Sequence, residues 1–276
     1  MADTLPPIYL ATAIEAVIRA GDVQMSRLGS AMQIEKKGVI DLVTETDREI
    51  ERDFRALIAG RFPDHAVLGE EYSAAADRQQ VPEFCWVFDP LDGTTNFAHG
   101  VPIFCASLAL EIAGRGAVAA VYDANRRELF TAERGRGAWL NGAPLRVSTT
   151  DSLIDGLLCT GFPYNIQQKP EELVGLFGYF LGKCRAVRRL GSAAIDLCYV
   201  AAGRFDGFWE MHLGPWDIAA GALIVEEAGG TVTSVTGTPF ASRLGNVLAS
   251  NGPLHDPMLR TIREFEAAFR SRKGTD

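Results

Sequence analysis

Apolar residues recur at helical spacing near the start of the chain. Leu10, Ala13, Ile14, Val17 and Ile18, then Val23 and Met25, predict an amphipathic helix over Tyr9 to Leu28, broken near Gly21. The pattern returns over Asp47 to Ile58, where Ile50, Phe54, Leu57 and Ile58 share a face and Thr46 stands at the N-cap position. Between these helices, Lys36-Lys37-Gly38-Val39-Ile40-Asp41 reads as a basic turn able to move. Strands then take over. Ala66 to Gly69 and residues 85–89 are short apolar runs, and Ser107 to Ile112, Ala117 to Tyr122 and Glu128 to Ala132 form a meander joined by turns.

From about Val147 strand and helix alternate. Strands are expected at Leu157 to Thr160, Ala186 to Arg189, Gly207 to Met211, Thr231 to Val235 and Asn246 to Ala249. Helices are expected at Pro170 to Leu181, Ser192 to Ala202, Trp216 to Ala228 and Asp256 to Phe269. The fold class that follows is α/β, a layered α+β sandwich in which helix and sheet layers alternate. The 276 residues suffice for two halves around a substantial core. The expected division is an N-terminal α+β subdomain over 1–145, with most of the candidate chemistry, and a C-terminal α/β subdomain over 146–276.

Composition narrows the setting. Hydrophobic residues at 47% and charged residues at 22% are ordinary for a soluble globular protein, and a net charge of −8 argues against a general nucleic-acid surface. The cysteines number 5, with no CxxC pair, so reduced and mostly buried thiols in a cytoplasm are expected rather than a disulfide framework or a zinc ribbon. The opening residues lack a basic n-region, and no apolar run reaches the roughly 20 residues needed to cross a bilayer.

The candidate chemistry lies in Trp86-Val87-Phe88-Asp89-Pro90-Leu91-Asp92-Gly93-Thr94-Thr95-Asn96. A strand that stops at Asp89, turns through Pro90 and opens into Gly93-Thr94-Thr95 offers carboxylates for a hard cation and free N–H groups for a phosphate. Acids also end apolar elements at Glu70 (with Glu71) and at Asp217, and Asp47 and Glu210 are further candidates. Each alone has a plainer reading. Asp217 suits a helix cap and Glu70-Glu71 a solvated turn. Lys36 and Lys37 suit solvent, and His65, His99, His212 and His255 show no ligand spacing. Gathered in one cleft, such acids repel by roughly 4 kcal/mol per pair at about 4 Å and an effective dielectric near 20, so the cluster requires protons or cations. An all-oxygen donor set favours Mg²⁺ or Mn²⁺ over zinc. Spacing alone leaves open whether positions 70, 89 and 217 meet.

With these residues in view, the chain resembles the inositol monophosphatase family of the lithium-sensitive, Mg²⁺-dependent phosphatase superfamily. Asp41-Leu42-Val43-Thr44-Glu45-Thr46-Asp47 is similar to its early D-x-V-T-x-x-D element, and Gly69-Glu70-Glu71 to its G-E-E. Asp89 to Phe97 reproduces its central signature, Gly191-Ser192-Ala193-Ala194 resembles its small-residue substrate loop, and Trp216 to Gly221 matches W-D-x-A-A-G. The resemblance implies a first metal on Glu70, Asp89 and the Leu91 carbonyl, a second on Asp89, Asp92 and Asp217, and a looser third near Glu70. It implies that the Gly93 and Thr94 N–H groups grip phosphate. Thr94, polarised by Asp47, would help activate the attacking water, with Glu70 also catalytic. Gly191, Ser192, Ala193, Glu210 and Asp217 would contact substrate, and Lys36 would lie on a closing loop.

The implied activity is Mg²⁺-dependent hydrolysis of myo-inositol monophosphate, or a related small polyol or sugar phosphate, by a metal-activated water. Fructose-1,6-bisphosphatase, histidinol-phosphate phosphatase and nucleotide 3′-phosphatase are alternatives within the superfamily. The Phe162 to Gln168 loop and the Leu213 to Pro215 region are expected to shape selectivity. A regulatory protein-binding role in transcription complexes is the non-enzyme alternative. A homodimer is implied, with no membrane and no direct nucleic-acid partner.

Overall fold

Alternate residues of the strand Phe84–Asp92 enter different cores. Trp86 and Phe88 pack on one side, Cys85 and Val87 on the other, as the period of two in a pleated strand requires. The structure, a computed structural model, describes residues 5–29, 34–36, 42–74, 76–163, 166–168 and 170–273. Asp41 and the expected basic turn at Lys37 to Ile40 lie outside the described residues, as does the side chain of Lys36.

Helix α1 (Pro7–Arg27) is followed by the short antiparallel pair β1 (Ile34–Lys36) and β2 (Leu42–Thr44), and by α2 (Glu45–Arg61). A seven-stranded sheet then runs in sequence order: β3 (Ala66–Gly69), β4 (Phe84–Asp92), β5 (Cys105–Ile112), β6 (Arg115–Asp123), β7 (Glu128–Glu133), β8 (Gly137–Leu140) and β9 (Ala143–Pro144). Only β3 and β4 are parallel in it. The short helix α3 (Thr94–Ala98) follows β4. The second half supplies β10 (Leu157–Thr160), α4 (Pro170–Leu181), β11 (Ala186–Arg188), α5 (Ala193–Ala201), β12 (Gly207–Met211), α6 (Pro215–Glu227), β13 (Thr231–Thr233), β14 (Asn246–Ser250) and α7 (His255–Lys273). Its five strands lie in the order β11-β10-β12-β14-β13, parallel at one side and antiparallel at the other.

Among the described residues, the three larger of four apolar clusters stack these elements into five alternating layers. Ala13, Val17, Ile50, Phe54 and Ile58 of α1 and α2 cover Trp86, Phe88, Leu108 and Val118 on the outer face of the large sheet. Helices α5 and α6 fill the space between the sheets, where Leu197, Ile218 and Leu223 meet Val87, Ala109 and Val121 from one sheet and Cys159, Phe208 and Val247 from the other. On the far face Leu158, Trp209 and Leu248 pack under Leu176 and Phe180 of α4 and Met258, Ile262 and Phe265 of α7. Because α6 is buried nearly all round, it shows no polar stripe, as a central helix must. All five cysteines are free and buried. Among the described residues, no helix is long and apolar enough to cross a membrane.

Local expectations fail where packing overrides sequence signals. Helix α1 runs unbroken through Gly21, and the glycine serves packing instead: a Cβ there would stand 2.5 Å from Cδ1 of Tyr122 on β6. This glycine lets helix and sheet approach closely. Thr46 is inside α2 rather than at its cap, since β2 ends at Thr44 and the helix starts at the next residue. The strand expected to stop at Asp89 continues to Asp92, and the β1–β2 and β8–β9 pairs had no alternating signal long enough to read.

A branched side chain at position 21 must displace the Tyr122 ring. Gly21→Val is expected to lower stability by about 1–3 kcal/mol. Urea or thermal unfolding measures this, and an unchanged midpoint would contradict the close-approach reading.

Candidate active site

The site begins with an irregularity in β4. Asp89 pairs with Ser107 and Asp92 with Cys105, so three steps along β4 oppose two along β5. In a regular strand, residues three apart point to opposite faces. The bulge at Pro90-Leu91 cancels that alternation and brings both carboxylates to the face between the two sheets. The freed backbone groups are taken up locally. Leu91 N–H donates to Asp89 Oδ1 at 2.8 Å, Pro90 has no N–H to lose, and its carbonyl accepts from Gln24 Nε2 of α1 at 2.8 Å. After Asp92 the chain reverses at Gly93 (φ 96°), where a Cβ would stand 2.9 Å from the Ile103 carbonyl, and α3 starts at Thr94.

Two helix starts meet these acids. Ser192 caps α5, and its hydroxyl donates to Asp92 Oδ2 at 2.7 Å; Ala194 N–H reaches the same oxygen at 2.7 Å. Asp217 lies in the first turn of α6, where its Oδ2 accepts the Gly214 N–H at 2.6 Å. Asp217 is therefore not the N-cap itself, which is Gly214, but the N3 acid that reaches back to it. Its carboxylate nevertheless shares a cluster with Asp89 and Asp92, in which one oxygen from each lies within 4.8 Å of the others. These residues line a cleft of about 420 Å³ with Glu70, Leu91, Gly93, Thr94, Gly191, Ser192, Ala193 and Glu210. Asp47 is buried behind it and accepts from Thr94 Oγ1 at 3.4 Å, while the Leu91 carbonyl accepts from the same hydroxyl at 3.0 Å. Thr94 has one proton for these two acceptors, and the carbonyl is nearer.

Every catalytic, substrate and metal residue expected from sequence thus borders the cleft or, for Asp47, touches a residue that does, while the side chain of Lys36 lies outside the described residues. Phe162, Pro163, Leu213 and Gly214 also line it, from the two segments expected to shape selectivity. Tyr164 and Asn165 of the first segment lie outside the described residues. His212 and Arg189 line the cleft too and had no motif to announce them. The buried Asp196 was also missed. Its position four residues after the capping Ser192 was the available signal, and Oδ1 has no hydrogen-bond partner.

Burial dominates the electrostatics. It pushes Asp89 well above the ordinary carboxyl range, and repulsion from Glu70, Asp92 and Asp217 adds to it. Burial raises Asp92 to about 6, against the hydrogen bonds from Ser192, Ala194, Ala193 and Cys105 that favour its charged form. Glu210 and Asp196 are raised by burial and by neighbouring acids, with Arg189 opposing in both.

The inositol monophosphatase family pattern matches residues 8–267. The chain belongs to the inositol monophosphatase family. It is 46% identical over 255 residues to an inositol-1-monophosphatase of Synechocystis, covering 92% of this chain and 88% of that protein. It is 43% identical to a protein named Nus factor SuhB from Pseudomonas aeruginosa, over 91% of this chain and 94% of the relative. The solved inositol monophosphatase of Anabaena superposes with a TM-score of 0.83 at 39% identity, covering 93% and 96% of the two chains. An inositol monophosphatase fold explains why acids from β4, the turn after β3 and α6 converge between the sheets.

The inositol monophosphatase family is metal-dependent, and the donor set here fits a hard cation. All its donors are oxygens, and what raises Asp89, besides burial, is other carboxyls whose repulsion a cation would reverse. A thiol nucleophile has no comparable support. A Cys-x5-Arg spacing occurs at Cys198 and Arg204, but Cys198 is buried inside α5 with its thiol pushed up by burial, and Arg204 is paired with Glu128 at 2.7 and 2.5 Å.

For Asp92 the folded-state value of about 6 exceeds the unfolded 3.8. The folded state therefore holds more protons between these values, and its stability falls as pH rises through that window. A cation competes with those protons. Mg²⁺ is expected to raise Tm more at about pH 7.5 than at about pH 5. Thermal melts in EDTA and in Mg²⁺ check this, and equal shifts at both pH values would contradict it.

Proposed function

We propose that this protein is a Mg²⁺-dependent phosphoric monoester hydrolase of the inositol-1-monophosphatase type, acting on myo-inositol monophosphate or a related small polyol phosphate. The observation that carries the reading is the carboxylate cluster of Asp89, Asp92 and Asp217, with one oxygen from each within 4.8 Å of the others, beside the Gly93-Thr94 turn. Glu70, Asp89, the Leu91 carbonyl, Asp92 and Asp217 would hold the two or three ions, and Mn²⁺ has the same donor preference. When bound, such ions neutralise phosphoryl charge and lower the pKa of water. The Gly93 and Thr94 N–H groups donate to phosphate oxygens. Thr94 Oγ1 orients the attacking water and directs its own proton to Leu91 O or to Asp47 Oδ1. Gly191, Ser192 and Ala193 form the floor against which the polyol lies. The Ser192 hydroxyl is committed to Asp92, so its contact with substrate is through backbone and Cβ.

Glu210 favours a polyol over a bisphosphate. Its buried carboxylate lies against Gly161, where a Cβ would stand 2.1 Å from Oε2. A carboxyl there hydrogen-bonds substrate hydroxyls, and in either protonation state it offers a second phosphate no cation. The name of the Synechocystis relative supports the same substrate. Five unpaired thiols support a reducing compartment such as the cytoplasm.

The test is phosphate release from inositol monophosphate, fructose bisphosphate, histidinol phosphate and adenosine bisphosphate, in EDTA and in Mg²⁺. The expected outcome is fastest release from inositol monophosphate, none in EDTA and recovery with Mg²⁺. Turnover undiminished by chelator would refute the metal-dependent reading. Asp89→Asn is expected to lower the rate by more than about 100-fold, beyond the roughly 10–100-fold typical of outer partners.

The Nus factor name carried by relatives at 42–43% identity favours a second reading, protein binding in transcription complexes. Asp217→Asn is then expected to retain its partner in a pull-down while losing hydrolysis. Loss of both together would argue against a separate binding role.

A further inference from the structure

The turn that carries Glu70 is held from beneath by a carboxylate with no part in the proposed chemistry. Glu51 lies one helical turn after Asp47 on α2, and its side chain is fully buried. Its Oε2 accepts the Glu71 N–H at 2.7 Å, and its Oε1 accepts the Tyr72 N–H at 3.2 Å. Arg55, a further turn along the helix, donates to Oε1 at 2.8 Å through Nε and lies at 2.8 Å through Nη2. The same guanidinium reaches Ser73 Oγ at 2.9 Å and the Val67 carbonyl at 3.4 Å, and Ser73 Oγ accepts the Gly69 N–H at 2.9 Å. The backbone is thus tied on both sides of Glu70, at Gly69 and at Glu71-Tyr72. Glycine at 69 leaves room for this arrangement, because a Cβ there would stand 2.2 Å from Glu51 Oε1.

A buried ion pair is weak evidence for stability, since apolar residues of similar volume often serve as well. This pair does what apolar residues cannot: it takes up backbone N–H groups in one fixed direction. We propose that Glu51 is a positioning residue, seated by Arg55, which fixes the Gly69–Tyr72 turn so that Glu70 faces Asp89 across the cleft. The proposal rests on the reading of Glu70 as a cation ligand. Without Glu51, two part-buried N–H groups lose the acceptor that fixes their direction, and the turn is free to shift.

Mn²⁺ binding to the metal-free protein, followed by EPR titration, tests the proposal apart from activity. Glu51→Gln places an amide N–H₂ among donors. It is expected to weaken Mn²⁺ binding by about 10–100-fold and to raise the Mg²⁺ concentration for half-maximal hydrolysis by a similar factor. Glu70→Gln should weaken binding as well. In the Glu70→Gln background, adding Glu51→Gln should change affinity by less than about two-fold, because both act through one ligand. A merely structural Glu51 would weaken binding equally in both backgrounds, and that result overturns the proposal. Unchanged affinity in Glu51→Gln beside a weakened Glu70→Gln overturns it too. Unchanged affinity in Glu70→Gln marks a different failure, that of the ligand reading itself. If Glu51→Gln does not fold, Ser73→Ala in the same turn takes its place. It should weaken Mn²⁺ binding in the wild-type background only, and no change there overturns the proposal.

Discussion

Crowded, buried carboxylates are the constraint around which this molecule is arranged. Asp89 and Asp92 are all but inaccessible, and Asp217 offers an oxygen within 4.8 Å of theirs. At about 4 Å and an effective dielectric near 20, each ionised pair repels by roughly 4 kcal/mol. The surrounding donors offset part of this: Leu91 N–H on Asp89, the Ser192 hydroxyl and Ala194 N–H on Asp92, Gly214 N–H on Asp217. Two of these acids stand at the first turns of α5 and α6, where unpaired N–H groups and the helix dipole favour negative charge. The helices between the sheets are therefore aimed by the site as well as packed by the core. Their N-terminal ends converge on the point where β4 bulges.

The layers supply the rigidity that such a cluster needs. Leu197, Leu223 and Ile224 fix α5 and α6 between sheets whose facing residues are small or branched, such as Ala109, Ala119, Val121 and Ala249. Gly221 on α6 sits against Leu197 on α5, where a Cβ would come within 2.5 Å of the Leu197 Cβ. The close crossing holds the Asp217 turn at a set distance from the Ser192 cap. Stability from burial is non-directional, so the exact placement of acids depends on these close approaches and on the donors named above.

Much of the fold was readable because strands such as Trp86–Phe88 and Leu158–Cys159 alternate between two cores, and because the second half of the chain alternates strand with helix. The residues of the site were readable because the acids stand in long, distinctive strings at Asp89 to Asn96 and Trp216 to Gly221. What could not be read was set by tertiary packing. Gly21 resembles a helix breaker until Tyr122 is placed beside it. Thr46 resembles a cap until β2 is found to run straight into α2. Asp89 and Asp92 belong on opposite faces of an ordinary strand, and only the pairing with β5 shows that a bulge unites them. Glu51 and Asp196 carry no motif; each is an acid on a helix whose role depends on which side faces inward.

The acids of the cleft differ in how firmly they are held, and the difference follows from their elements. Asp89 and Asp92 ride on β4, paired with β5 at both positions and just past the point where β3 stops at Gly69 opposite Phe88. Asp217 rides on a buried helix and is anchored to its own N-cap. Glu70 alone comes from a turn beyond the end of β3, half-buried, with Tyr72 exposed just after it. Side chains on loops are less exactly placed than those on strands or helices unless supporting hydrogen bonds lock them. The Glu51–Arg55–Ser73 linkage provides such a lock, running from the interior of α2 to the backbone on each side of Glu70. The fourth carboxylate thereby approaches the precision of the other three from a half-buried turn.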